Sequence, residues 1–219
     1  MRVAIVGGHG QIARLLHPLL VAAGHVPVAM VRNESHREDL QAVGAEVRLL
    51  DIEQEDAAAF GRAFAGCDAV VFAAGGGPDG NIRRKQTVDL DGSLKSAAGA
   101  QLAGIRRFVQ VSAIDVDRPV ADDAGEVWRA YVEAKRDADA ALRDSDLDWT
   151  IIRPGRLTDE PPTGLVALGA DVARASVPRA DVAAVLAAVL DRPETAGRQW
   201  NLVSGDVPVA EAIDRAGPG

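Results

Sequence analysis

The sequence predicts an α/β protein whose core is a doubly wound, mostly parallel sheet of about seven strands. Apolar runs rich in Val and Ile alternate with helix-like stretches along the chain, which is the pattern of repeated strand and helix units. A glycine-rich turn follows the first apolar run. The length of 219 residues suits one domain of this kind, so we expect a single domain over residues 1–219.

Seven short apolar runs predict strands that helices cover on both faces. They are Val3–Val6, Val26–Val31, Val47–Leu50, Ala69–Ala74, Phe108–Ser112, Trp149–Arg153 and Gln199–Val203. Residues of about 154–180, which hold a Pro-Pro-Thr-Gly turn, indicate loop and short strand. We expect this segment to close a substrate cleft.

Six helical stretches lie between these strands. They are Gln11–Ala23, Ser35–Val43, Asp56–Phe64, Thr87–Ala103, Trp128–Arg143 and Asp181–Leu190. Glycines follow four of them, where a left-handed C-cap is expected: Gly24, Gly44, Gly66 and Gly104. Asp181 is expected to be the N-cap of the last helix.

The composition excludes several classes of protein. The 24 Lys and Arg residues against 32 Asp and Glu residues give a net charge of −8, which argues against a nucleic-acid partner. A single cysteine, Cys67, excludes an internal disulfide framework and a thiolate zinc cluster, and favours a reducing compartment. We expect no secretory signal, no membrane span, no metal site and a cytoplasmic location.

The first strand leads into a G-x-x-G-x-x-A turn, Gly7 to Ala13, followed at once by a helix. This context is typical of a Rossmann dinucleotide site. The first glycine permits a positive φ, the next lets backbone approach a pyrophosphate, and the helix N-terminus binds the phosphates. We expect cofactor contacts from this turn, namely Gly7, His9, Gly10, Gln11 and Ile12, while a glycine turn kept for packing alone remains the alternative.

Residues after the second strand should select the cofactor. Arg32, followed by Asn33, stands where an acid would bind the ribose of NAD. An arginine there suits the 2′-phosphate of NADP, so NADP is the expected cofactor and NAD the less favoured one. Glu34 complicates this reading, and a solvated Arg32 is the alternative.

Two further strand ends are placed to contact the cofactor. Asp51 and Ile52 follow the third strand and are expected at the adenine, although Asp51 could equally cap a helix or be solvated. Ala73, Ala74 and Gly75 follow the fourth strand and are expected to let the cofactor cross the sheet.

The only tyrosine of the chain, Tyr131, precedes Lys135 by four residues. On a helix the two side chains share a face. A neighbouring ammonium lowers the pKa of a phenol, which lets tyrosine exchange a proton, and the lysine could also hold the nicotinamide ribose. The alternative is a core tyrosine beside a solvated lysine.

Together these residues resemble the short-chain dehydrogenase/reductases, and within them the small atypical NAD(P)-binding group of NmrA-like and flavin reductase-like proteins. The resemblance spans nearly the whole chain, and its most specific part is the run Trp149 to Thr158, which ends in Arg-Pro-Gly-Arg-Leu-Thr. Further matches are Val71 to Gly75, Val88-Asp89, Arg107 to Ser112 and Asp181 to Ala183.

The resemblance implies that Tyr131 is the acid/base, that Lys135 tunes its pKa and binds ribose, and that Pro154 to Leu157 wall the nicotinamide. The catalytic serine position departs from the pattern, because Ala113 and Ile114 follow the first serine of the strand end. Ser112 is the candidate replacement, although it could equally bond backbone.

The expected function is therefore hydride transfer between NADP and a small carbonyl, quinone or flavin-like substrate, by a monomer or a homodimer. Two alternatives stay open. One is a non-catalytic NADP-binding redox sensor, and the other is a sugar-nucleotide epimerase or dehydratase, whose relatives usually carry a larger C-terminal substrate domain.

Overall fold

The computed structural model describes residues 1–77 and 80–217. Its strands are β1 (Arg2–Val6), β2 (Val26–Val31), β3 (Glu46–Leu49), β4 (Ala69–Phe72), β5 (Arg107–Val111), β6 (Asp148–Pro154), β7 (Arg156–Thr158), β8 (Leu165–Gly169), β9 (Ser176–Pro178), β10 (Arg198–Ser204) and β11 (Val207–Pro208). Its helices are α1 (Gln11–Ala22), α2 (Arg37–Ala42), α3 (Ala57–Ala63), α4 (Ile82–Arg84), α5 (Asp91–Leu102), α6 (Glu126–Arg143), α7 (Arg179–Leu190) and α8 (Val209–Arg215).

Nine strands form the central sheet, in the order β11-β8-β10-β6-β5-β4-β1-β2-β3. The seven strands from β10 to β3 run parallel, and β8 and β11 add an antiparallel edge. The chain order reverses between β1 and β4, so this is the Rossmann switch point, where the strand ends open a crevice. The fold class is confirmed, with two strands more than the seven predicted.

Two apolar layers cover the sheet. On one face α1 and α7 pack together, with Leu16 and Leu186 among the fully buried side chains. On the other face α3 packs on α5, and Phe60 and Phe64 fill the core. Burial on both faces explains why the central strands are continuous apolar runs. No helix in the described ranges is long and apolar enough to cross a membrane.

The predicted elements are present with ends shifted by a few residues. All seven predicted strands occur, and the second helical stretch divides into a 3₁₀ turn at Glu34–His36 and α2. The four C-cap glycines have φ between 73° and 83°, so their left-handed conformation is confirmed.

The segment expected as loop and short strand holds short strands, one helix was not predicted, and one N-cap is corrected. Residues 154–179 contain three strands, of which β7 and β9 form a separate parallel pair and β8 joins the central sheet. The short helix α8 was missed. Asp181 is not an N-cap, because Pro178 occupies that position. Asp181 is instead fully buried and accepts hydrogen bonds from the backbone N–H groups of Thr163 and Gly164.

The helix predicted from Thr87 begins earlier, at Ile82, and contains a π-helical turn at Lys85–Leu90 between α4 and α5. The extra residue of a π turn rotates neighbouring side chains, and such turns are frequent at functional sites. Here Lys85 and Asp89 of the turn are both buried.

Gly155 is required by close backbone contact. A Cβ atom at this position would stand 1.9 Å from the carbonyl oxygen of Ala175, because the backbone N–H of Arg156 donates to that same oxygen at 3.0 Å. The Arg-Pro-Gly run therefore has a packing reason: it brings the β7–β9 pair against the end of β6.

We expect Gly155→Ala to lower the free energy of unfolding by about 1–3 kcal/mol, since the added methyl forces two backbones apart. Gly125→Ala is the matched control, because its Cβ would meet open space and should cost less than about 1 kcal/mol. Urea denaturation measures both. Equal stability of the two variants would contradict the packing role of Gly155.

Candidate active site

A first cavity, here called the glycine cavity, opens at the carboxyl ends of β1 to β4 and has a volume of about 260 Å³. It is lined by Gly7, Gly8, His9, Gly10, Met30, Val31, Arg32, His36, Leu50, Ile52, Glu53, Ala73, Ala74, Gly75, Arg84 and Val88. Eight predicted cofactor contacts are in this lining: Gly7, His9, Gly10, Arg32, Ile52, Ala73, Ala74 and Gly75.

The glycines of this turn are required by close backbone packing, in addition to leaving space for a ligand. Gly7 has φ +80°, and a Cβ there would lie 2.7 Å from Cα of Ala74. A Cβ on Gly8 would lie 2.7 Å from Cβ of Ala29. Close approach of the β1 end to its two neighbouring strands thus requires both glycines, while the cavity side of the turn carries no side chain at these positions.

A buried histidine supports the turn from behind. His17 of α1 is fully buried, and its Nε2 lies 2.7 Å from the carbonyl oxygen of Gly8. Burial lowers the pKa of His17, so the ring is neutral and donates this hydrogen bond through Nε2–H. Sequence reasoning missed His17, which was visible only as a polar residue on an apolar helix face.

The rim of the glycine cavity carries several charges. Arg32 is 60% exposed and lies 3.7 Å from Glu53, which also lies 3.5 Å from Arg84. The rings of His9 and His36 stack with centroids 3.7 Å apart. Glu34, the acid that complicated the prediction for Arg32, forms an ion pair with Arg37 through two hydrogen bonds.

Four predicted cofactor residues near the glycine cavity, Gln11, Ile12, Asn33 and Asp51, lie outside its lining. The side chain of Asn33 accepts a hydrogen bond from the backbone N–H of Ser35, and Asp51 accepts one from that of Glu53. Both are thus engaged in turns. Gln11 and Ile12 belong to the first turn of α1, where a dinucleotide would meet their backbone N–H groups and not their side chains.

A second cavity, here called the tyrosine cavity, lies at the carboxyl ends of β5 and β6 and has a volume of about 880 Å³. Its lining includes the predicted Ser112, Tyr131, Pro154 and Leu157, together with a residue that the sequence reading passed over, Lys85. A cavity of this size suits a small-molecule ligand.

Lys135 does not line the tyrosine cavity and is paired inside the protein. Its side chain is 5% exposed, its Nζ lies 3.2 Å from Oδ1 of Asp89, and it donates to the carbonyl oxygen of Val111 at 3.2 Å. Burial alone would lower the pKa of Lys135, but Asp89 and Tyr131 outweigh burial and leave it raised. The ammonium is therefore charged, and one ion pair and one hydrogen bond hold it within the protein.

Tyr131 is half-buried in the wall of the tyrosine cavity. Burial raises the pKa of its phenol, while Lys135 opposes that shift and Asp89 adds to it. Lys135 does lower the pKa of this phenol, as the sequence predicts, but by less than burial raises it. A second ammonium, Nζ of Lys85, lies 5.9 Å from the centre of the tyrosine ring, and it also donates to the carbonyl oxygen of Gly77.

Ser112 is part of a buried polar network. Its hydroxyl donates to Oδ2 of Asp139 at 2.7 Å, and the same carboxylate accepts from Gln110 at 2.7 Å and from Arg153 at 2.8 Å. Asp139 is fully buried and stands four residues after Lys135 on α6. Ser112 therefore bonds a side chain, and not the backbone as the sequence alternative proposed.

Comparisons with known proteins cover nearly all of this chain. A model of an NAD(P)H-binding family matches residues 7–193, which include both cavities. The chain is 40% identical over 218 residues to an uncharacterized sugar epimerase of Bacillus subtilis (strain 168), YhfK, covering 98% of this chain and 100% of that protein.

Two further likenesses add detail. A solved structure from Bacillus halodurans, provisionally named an NAD-dependent epimerase/dehydratase, has a TM-score of 0.91 and 39% identity, covering 98% of this chain and 99% of that one. A (4-alkanoyl-5-oxo-2,5-dihydrofuran-3-yl)methyl phosphate reductase of Streptomyces griseus is 31% identical over 212 residues, covering 93% of this chain and 67% of that protein.

Because Tyr131 is the only tyrosine, tyrosinate absorbance reports this one group. Since burial raises its pKa, we expect half-titration above the ordinary value of about 10. Lys135→Met removes the opposing ammonium and should move the midpoint higher still. A spectrophotometric titration measures both, with circular dichroism at each pH to confirm that the protein stays folded.

Tyr131→Phe is the control for this titration and should show no tyrosinate signal. A wild-type midpoint below the ordinary value, or a midpoint that Lys135→Met leaves unchanged, would contradict the electrostatic picture of the cavity.

Proposed function

Because this chain belongs to the NAD(P)H-binding family, we propose that it is an NADP-dependent oxidoreductase of the short-chain dehydrogenase/reductase type. Its substrate would be a small carbonyl, quinone or flavin-like molecule. The observation that carries the proposal is the position of Tyr131. The only tyrosine lines a large cavity, with a buried charged lysine one helical turn away, beside the glycine cavity.

The glycine cavity fits a dinucleotide phosphate. Its backbone turn leaves room at Gly8 and Gly10, and the first turn of α1 offers N–H groups to the pyrophosphate. Arg32 would bind the 2′-phosphate, with Arg84 and His36 on the same rim. The ion pair of Glu34 with Arg37 neutralises the nearby acid and so favours binding of the 2′-phosphate at this rim.

The remaining predicted residues would hold the rest of the cofactor. Ile52 and Asp51 would flank the adenine, and Ala73, Ala74 and Gly75 would let the cofactor cross the sheet. Pro154 and Leu157 would wall the nicotinamide. Lys135 would donate a remaining N–H to the nicotinamide ribose while its ion pair with Asp89 keeps it in place.

The bound nicotinamide supplies or accepts the hydride, and the chain supplies the proton. A phenol whose pKa lies above its ordinary value is protonated at neutral pH, so Tyr131 acts as an acid. It donates a proton to the oxygen that becomes a hydroxyl during reduction. The phenol is thus in the protonation state that reduction of the substrate requires.

Ser112 plays an accepting role in this scheme. Its proton is committed to Asp139, so its oxygen can receive a hydrogen bond from the substrate or from the phenol but has no proton to give. Tyr131 is then the principal donor to the substrate oxygen. Asp139 is a positioning residue, since it orients the serine without lining the cavity.

Residues of about 154–180 would close the substrate cleft over this centre. Gly155, Arg156, Leu157, Arg174 and Arg179 from this segment line the tyrosine cavity. The close packing of Gly155 on Ala175 would keep the two ends of the segment together.

A second candidate, epimerisation or dehydration of a sugar, is favoured by the names of two of the relatives. Such a reaction returns the cofactor to its starting redox state within each turnover. Net oxidation of NADPH by an added acceptor therefore separates the reductase from the epimerase.

Tyr131→Phe should lower the rate of NADPH-dependent reduction by about 10²–10⁴-fold, the usual contribution of a positioned acid. Affinity for NADPH should stay the same. NADPH oxidation with carbonyl, quinone and flavin acceptors measures the rate, and Glu133→Gln, an exposed change on the same helix, is the control. Full activity in Tyr131→Phe would overturn the catalytic role of Tyr131, whereas a wild type that binds NADPH and reduces no acceptor would favour the non-catalytic sensor.

Arg32→Glu should abolish a preference for NADPH over NADH, because the 2′-phosphate would then face a carboxylate. Fluorescence titration with each nucleotide measures the two dissociation constants. Arg62→Glu, an exposed reversal at the end of α3, controls for net charge. An unchanged preference in Arg32→Glu would show that other residues select the cofactor.

A further inference from the structure

The charged residues that line the tyrosine cavity are all cationic. Four basic side chains contribute to its wall, and no Asp or Glu is among the described residues of the lining. The basic residues are Lys85, Arg156, Arg174 and Arg179. The sign of the charge at this cavity is opposite to that of the whole chain, whose net charge is −8. The cavity therefore concentrates positive charge.

Two of these cations already have partners within the chain. Arg179 lies 2.7 Å from Asp159, and Lys85 donates to the carbonyl oxygen of Gly77. These two side chains therefore contribute less free charge to a ligand.

Arg156 and Arg174 are different. Both are exposed at the cavity, and neither forms an ion pair with a carboxylate among residues 1–77 and 80–217. Arg174 lies over the ring of Trp128, 5.5 Å from its centre. Stacking fixes the plane of a guanidinium while leaving its N–H groups free to donate.

The rest of the wall is apolar and aromatic. Trp128 lies 5.5 Å from Tyr131 between ring centres, and Ile114, Val127 and Leu157 complete this side. A cavity with an aromatic wall at the proton donor and two arginines at the rim suits a flat, apolar molecule that carries an anionic group.

We propose that the substrate is an aromatic or otherwise flat carbonyl compound bearing a carboxylate or phosphate, which Arg156 and Arg174 bind. The reacting carbonyl then stands at Tyr131, and the apolar body packs on Trp128. This proposal rests on the proposed function for the reaction, but its anion site is a statement about binding.

The test compares three aldehydes with one ring system: 6-formyl-2-naphthoate, its neutral methyl ester and 6-formyl-2-naphthyl phosphate. Calorimetric titration of the protein with NADP present gives each dissociation constant without any turnover. At least one anion should bind about fivefold or more tightly than the ester. Comparison of the carboxylate with the phosphate shows which anion Arg156 and Arg174 bind more tightly.

Arg156→Gln and Arg174→Gln, singly and together, should weaken binding of the preferred anion and leave the ester unaffected. Arg136→Gln removes one positive charge from an exposed pair with Asp137 elsewhere on α6 and should change neither. Equal affinity for anion and ester, or loss of affinity for both in the arginine variants, would overturn the anion site.

Turnover separates this proposal from the proposed function. Reduction of the ester and the anions by NADPH with equal kcat/KM would keep the reductase and reject the anion site. Arginine-dependent binding of an anion that NADPH does not reduce would keep the anion site and count against the reductase.

Discussion

The ion pair between Lys135 and Asp89 joins α6 to the π-helical turn while both side chains are almost fully buried. A buried charge is stable only when it is paired, and removal of one partner leaves an uncompensated charge inside the protein. The pair thus fixes the relative position of two elements that wall the tyrosine cavity. Tyr131, one turn before Lys135, and Lys85, one turn before Asp89, are positioned by the same contact.

A second buried network continues along the same stripe of α6. Tyr131, Lys135 and Asp139 stand four residues apart, so one face of the helix carries the phenol, the ammonium and the carboxylate. Asp139 binds Ser112 at the end of β5 and Arg153 at the end of β6. Because parallel strands end at one edge, a single helix can organise the whole crevice.

The pattern of apolar and polar residues predicted most of this fold. Strands buried on both faces are continuous apolar runs, and helices often end at a glycine, so both can be identified from the local sequence. The resemblance to small NAD(P)-binding dehydrogenase-like proteins is confirmed by the family match. The edge strands β8 and β11 are short and half-exposed, and were missed. Lys85 was missed because a π turn positions it. Asp139 was missed because its hydrogen-bond partners are 14–29 residues away in sequence. No rule of residue spacing predicts either arrangement.

The proposed function depends above all on Tyr131 and Lys135 serving hydride transfer from NADPH. The most direct measurement is a single-turnover reaction of protein, NADPH deuterated at C4 of the nicotinamide, and 6-formyl-2-naphthoate, with mass spectrometry of the alcohol formed. We expect one deuterium on the carbon of the former aldehyde, in an alcohol that the wild type forms far faster than Tyr131→Phe. Tight binding of NADPH without transfer of deuterium above the Tyr131→Phe rate would contradict the proposed function.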